Sequence, residues 1–183
     1  MVEKEVSQNN TSKGAIMKTI KIREKITGKI MYEIARESLT GFDFSGWDLR
    51  NLDLSCLFLE NCNFAGADLR GADCSVSSFD GSDFSHAIMS EADFSYASFN
   101  NAKFFMTKLS DSNFSRADFT NANIRHSRLN STNLFAANFT GSKIGPGANL
   151  HQAAKVEEVI GFDHIHNPNV SVEQILSERL VPA

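Results

Sequence analysis

From Phe44 to Ile144 every fifth residue is apolar, 21 places in succession without an insertion. The series begins Phe44, Leu49, Leu54, Leu59 and Phe64, and ends Leu129, Leu134, Phe139 and Ile144. In a chain that is 42% hydrophobic, random placement would give such a run about once in 10⁸ trials, so the repeat has to be explained before any local structure. Two residues before each centre, every position from Cys62 to Ser142 is Ala, Ser, Thr or Cys. One residue before the centre, Asp or Asn holds 13 of the 21 places.

A period of five suits neither the amphipathic helix, which needs a spacing near 3.6, nor the half-buried strand, which needs alternation. It suits one straight side of a coil followed by a turn. The centre and the small residue are two apart, so in extended chain they point to the same face. Four such sides close a square coil with both residues facing in, and coils stack at about 4.8 Å, the strand-to-strand spacing. The small residues follow from volume, because inward side chains fit only if half of them are small.

Ala67-Asp68-Leu69-Arg70-Gly71, Ala92-Asp93-Phe94-Ser95 and Ala117-Asp118-Phe119-Thr120-Asn121 resemble the A-(D/N)-(L/F)-x-x consensus of the pentapeptide-repeat proteins. The resemblance covers residues 42–146 and implies an all-β solenoid, a right-handed quadrilateral parallel β-helix. The hand comes from the resemblance alone. At 20 residues a coil, the repeat makes about five coils and a rod of about 25 Å.

Four segments are expected. Residues 1–17 are polar and mixed and read as a disordered tail, with Met17 an alternative start. Residues 18–41 hold Thr19-Ile20-Lys21-Ile22 and Ile30-Met31-Tyr32-Glu33 across Thr27-Gly28, which predicts a small hairpin as N-terminal cap. The β-helix takes 42–146, its first coil widened by Phe42, Trp47, Leu52 and Leu57 in the small-residue place. Residues 147–183 carry helical spacing (Ala153, Val156, Val159, Ile160) and a capping-box form at Ser171–Gln174. They are expected to form a helical cap over the open end or a homodimer interface.

No apolar run approaches the roughly 20 residues that cross a membrane, so no membrane association is expected. The absence of a signal-peptide core and the odd set Cys56, Cys62 and Cys74 point to reduced structural thiols in the cytoplasm. Catalysis is not expected, because a rod filled by its own Phe and Leu offers no pocket with converging polar groups. The recurring Asp and Asn are expected to bond backbone at the coil corners. Asp163, His164 and His166 make half a metal site without a second matched pair, so neither metal nor cofactor is expected.

Binding remains, to a protein whose identity the sequence does not give. Outward positions are mostly Ser, Asn and Gly, and against them Val76 and Tyr96 stack in one column with Phe135 near its far end, while Phe105 and Met106 share another face. These five are the candidate partner surface. The alternative comes from the resemblance, since quinolone-resistance members of the family imitate DNA and occupy DNA gyrase. Asp80, Asp83 and Glu91 would then be the working acidic surface. Charge argues against it: 25 Å of duplex carries about 15 charges, whereas the repeat holds 12 acidic and 8 basic residues. Ten of those acids lie in residues 42–95, and six of the bases lie in residues 96–146. Direct nucleic-acid binding through Lys103, Lys108 and Arg128 is not expected, because the net charge is −4 and no aromatic interleaving is evident.

Overall fold

The computed structural model describes residues 7–10, 16–144 and 148. The C-terminal helical runs, the Gly145-Pro146-Gly147 stop and the Asp163–His166 group lie outside the described residues.

From Asp43 onward, isolated parallel bridges join each residue of the Asp/Asn place to the one twenty further on, from Asp43↔Asn63 to Asn123↔Lys143. Twenty residues therefore make one coil of four sides. The Lys103 N–H donates to the Ser82 carbonyl of the coil below (2.9 Å) and the Phe104 N–H donates to the Asn123 carbonyl of the coil above (2.8 Å), so each side bonds to the coils above and below. Every centre from Phe44 to Phe139 is fully buried, and Ile144 nearly so. The phenylalanines stack in columns. Phe44, Phe64, Phe84 and Phe104 follow one another at 4.9, 4.8 and 5.2 Å with planes within 9°. Phe79, Phe99, Phe119 and Phe139 form a second column.

The small places from Cys62 to Ser142 are also buried. Burying a hydroxyl without a partner is costly, and the fold supplies one at these places except at Ser142, whose Oγ is buried without one. Ser77 donates to the Leu54 carbonyl (2.7 Å), Ser82 to Leu59 (2.8 Å), Thr107 to Phe84 (2.8 Å) and Ser112 to Met89 (2.6 Å). Each of these bonds reaches the centre of the coil below.

Ahead of the rod, β1 (Ser7–Asn10), β2 (Ile16–Glu24) and β3 (Ile30–Ala35) form an antiparallel sheet in the order β1-β2-β3. The short β4 (Leu52–Asp53) pairs with the far end of β2, which ties the sheet to the rod. Between β2 and β3, Glu24 accepts bonds from the N–H groups of Ile26 and Thr27 and from the Thr27 hydroxyl, and these hold its carboxyl below the usual range. Ile22 and Ile34 are buried, while Tyr32 packs on Trp47 (4.7 Å) and donates to the Asp48 carbonyl (2.7 Å). The bulky Phe42, Trp47 and Leu57 sit partly buried against the core, and Leu52 is buried. One difference from the sequence reading falls in residues 1–17. Ser7–Asn10 pair with Ile16–Thr19 rather than lying without regular structure. Ser-Gln-Asn-Asn has no hydrophobic alternation, so only the free edge of β2 specifies that strand.

The register gives a test. Ala92 is 2% exposed, whereas Ser95 is partly exposed on the outside. Ala92→Leu should overpack a coil and cost about 1–3 kcal/mol, while Ser95→Leu should stay within about 0.5 kcal/mol. Urea midpoints measure both, and equal losses would mean that the inward face is wrongly placed.

Candidate partner surface

Each straight side ends in a turn, and every fifth residue from Gly41 to Gly141 has a positive φ between 54° and 72°. Hydrogen bonds such as Ala67 N–H to the Phe64 carbonyl (3.0 Å) close these turns. A turn of that kind needs φ > 0 at its third residue, which favours Gly and Asn. The four corners of the coil differ in how they meet the requirement. The first corner holds only Gly and Asn: Gly41, Asn61, Gly81, Asn101, Asn121 and Gly141. The fourth corner holds neither: Cys56, Val76, Tyr96, Arg116 and Ala136. Val76 at φ 58° is the most strained of them, because a β-branched residue is a true outlier in that region.

The fourth corner gathers three of the five sequence candidates. Val76 is 58% exposed and Tyr96 56%. The Arg116 guanidinium lies over the Tyr96 ring at 5.5 Å and over the Phe135 ring at 5.9 Å. Arg116 thus fills the gap between Tyr96 and the half-buried Phe135, which sequence reasoning missed; its place in the twenty-residue column was the available signal. Phe58, 72% exposed, lies on the adjoining side and was also missed, although it is an aromatic in an Asp/Asn place. Beside the corner, Asp53, Asp73 and Asp93 each accept the N–H of the serine two residues on (3.0, 3.0 and 2.9 Å).

Phe105 and Met106 lie diagonally across the coil, at the second corner, both exposed. Phe105 stands between His86 (5.8 Å) and His126 (5.5 Å), edge-on to each. The residues of the acidic alternative do not converge. Asp80 accepts from the Ser98 hydroxyl (2.5 Å) and the Asn100 N–H (2.9 Å). Asp83 accepts the Ser85 N–H (2.9 Å) and lies 3.9 Å from Lys103. Glu91 occupies the third corner at φ 62°. Two further acids are paired: Arg50 grips Asp48 (2.8 and 2.7 Å) and draws its carboxyl down to about 2, and Arg70 lowers that of Asp68 in the same way.

Among the described residues, no group of three or more His, Cys, Asp or Glu side chains could hold a metal ion, and no helix is long and apolar enough to cross a membrane. Burial pushes the Cys62 thiol up to about 11 and that of Cys74 well above its ordinary value, so neither is a nucleophile near neutral pH.

A sequence profile of pentapeptide repeats matches eight copies, over residues 59–95, 67–105, 97–135 and 112–145. Among solved structures, a pentapeptide repeat protein from the Arabidopsis thaliana thylakoid lumen is 31% identical with a TM-score of 0.52; the match covers 53% of this chain and 68% of that one. The pentapeptide repeat protein Rfr23 from the cyanobacterium Cyanothece 51142 is 17% identical (TM-score 0.46), covering 61% and 65%. QnrB1, a plasmid-mediated fluoroquinolone resistance protein, is 13% identical (TM-score 0.30), covering 70% and 85%. Among curated proteins none matches. The uninterrupted five-residue period, the bridges at twenty residues, the repeat profile and the Arabidopsis structure agree: the chain belongs to the pentapeptide-repeat family, whose fold is a right-handed β-helix solenoid.

Proposed function

We propose that this protein is a non-enzymatic interaction scaffold whose protein partner docks on the fourth corner, against Val76, Tyr96, Arg116 and Phe135. The observation that carries the reading is the contrast between corners. All four make the same left-handed turn, yet only the fourth avoids both Gly and Asn throughout. Strain of this kind persists where something offsets it. Large outward side chains at a strained corner are that kind of feature, and Tyr and Arg are the residue types that most often anchor protein interfaces. The rod is read as about five coils, with the β2–β3 hairpin over its N-terminal end and a cytoplasmic setting for its buried thiols. Homodimer formation through residues 147–183 concerns a segment of which only Ala148 is among the described residues.

The DNA-imitating alternative, with gyrase as partner, has weaker support, because Asp80 and Asp83 are engaged within the rod and Glu91 stands apart from them. The test uses the full chain with a photocrosslinking residue at Ser98, beside the fourth corner, and a second at Ser110, beside the third. Gyrase supercoiling is assayed alongside. A partner crosslinked from Ser98 and lost in Tyr96→Ala is the expected result. Crosslinks from Ser110 alone, or gyrase inhibition at micromolar protein that survives Tyr96→Ala, would sink the reading.

A further inference from the structure

We propose that the second corner is a binding site for single-stranded nucleic acid, a role separate from the partner surface on the opposite corner. The upper coils there present Lys103, Lys108, Arg125, Arg128 and Lys143, all exposed. They flank Phe105, Met106 and His126 on both sides of the turn. Lys103↔Asn123↔Lys143 climb one side, and Lys108↔Arg128 climb the next. Only Lys103 has a carboxylate close by among the described residues, Asp83 of the coil below. The outward places from residue 98 onward that adjoin this corner carry no acid; Asp111 lies one corner away and Asp118 on the far side.

The whole chain is negative, yet beyond Asp83, which faces Lys103 at 3.9 Å, that charge stays away from the patch. Coils rise about 4.8 Å each, so Asp48 and Asp68 lie three and two coils below Lys108, about 14 and 10 Å away along the rod. Screening at physiological salt acts over about 8 Å, and Arg50 and Arg70 already neutralise those two carboxylates. What an approaching ligand meets is the local cluster of cations.

Three features choose the ligand. Cations on either side of a turn suit a flexible chain of negative charge. Phe105, held upright between two imidazoles and 43% exposed, adds an aromatic surface of the kind on which bases stack. The corner is convex, so a rigid duplex would touch it along one line, whereas a single strand can bend over it. An acidic peptide would use the cations and leave Phe105 idle. The upright setting of Phe105 between two histidines, which the sequence did not show, is what argues against the expectation of no nucleic-acid binding.

Fluorescence anisotropy of the full chain with fluorescein-labelled oligo(dT) and oligo(rU) of about 20 nucleotides tests the proposal. With three or four phosphates engaged, raising salt fourfold should weaken binding about twenty- to fiftyfold. The double variant Lys108→Ala, Arg128→Ala should lose at least about tenfold and flatten the salt slope by more than one unit. Phe105→Ala should weaken binding about tenfold without changing the slope, and Phe105→Leu should not restore it. Arg116→Ala, on the opposite corner, should bind as the wild type does. Circular dichroism confirms that each variant folds. No binding at low salt, polyglutamate of equal length bound as tightly, or an unaffected Phe105→Ala variant would each overturn the proposal.

Discussion

Phe99→Ala should lower the free energy of unfolding by about 3–5 kcal/mol, the usual loss for a fully buried phenylalanine. The ring lies between Phe79 and Phe119 at 5.2 and 5.1 Å, nearly parallel to both, and Phe84, Phe94, Phe104 and Phe114 approach it at 5.3–5.9 Å. Six rings therefore lose a neighbour together. Relaxation is hindered because each flanking coil is fixed by hydrogen bonds to the coil beyond it, so the cavity has little room to close. Urea unfolding followed by circular dichroism gives the midpoint, and an unchanged m-value would assign the loss to the native state. A loss under about 1 kcal/mol would mean that the coil repacks freely, contrary to the close packing of protein interiors.

The stacking that makes this residue costly was legible in the sequence, because a period of five closing after twenty residues puts Phe79, Phe99 and Phe119 one above another. The same arithmetic placed Val76 under Tyr96, and His86 two coils below His126. It did not show the ring of Phe105 between the two imidazoles, since Phe105 precedes the corner column by one residue. Nor did it reveal the positive φ at every corner. The hint was there in Gly66, Gly71 and Gly81 and in Asn101 and Asn121, yet Val76, Tyr96 and Met106 share the same turn and conceal it. The column had to be read corner by corner, where the first is uniformly Gly or Asn and the fourth never is. The buried hydroxyls escaped for another reason. Ser77 and Ser82 read as small residues only, and their acceptors 23 positions earlier exist only once coils stack. β1 escaped because its pairing is specified by its neighbour and not by Ser-Gln-Asn-Asn itself.

The corner contrast leads to the sharpest prediction about binding, in which stability and function should part. Tyr96→Gly removes a side chain from a left-handed position (φ 59°), where L residues pay roughly 1–2 kcal/mol that glycine avoids. It also loses the exposed contact with Arg116, worth about 0.5–1 kcal/mol. The two effects nearly cancel or leave a small gain, so the urea midpoint should hold or rise. Partner affinity should instead fall by about 2 kcal/mol or more, roughly thirtyfold, as expected for an aromatic anchor. Val76→Gly should show the same divergence with a clearer stability gain, because valine pays more at that position. A packed apolar interface should respond little to added salt, whereas an acidic surface imitating DNA would weaken steeply, exposed charges being screened over about 8–10 Å. The charge variant Asp80→Asn, Asp83→Asn, Glu91→Gln should therefore bind nearly as the wild type does. If that variant loses the partner, salt dependence is steep and Tyr96→Gly binds normally, the working surface is the acidic one, and the strain at the fourth corner needs another explanation.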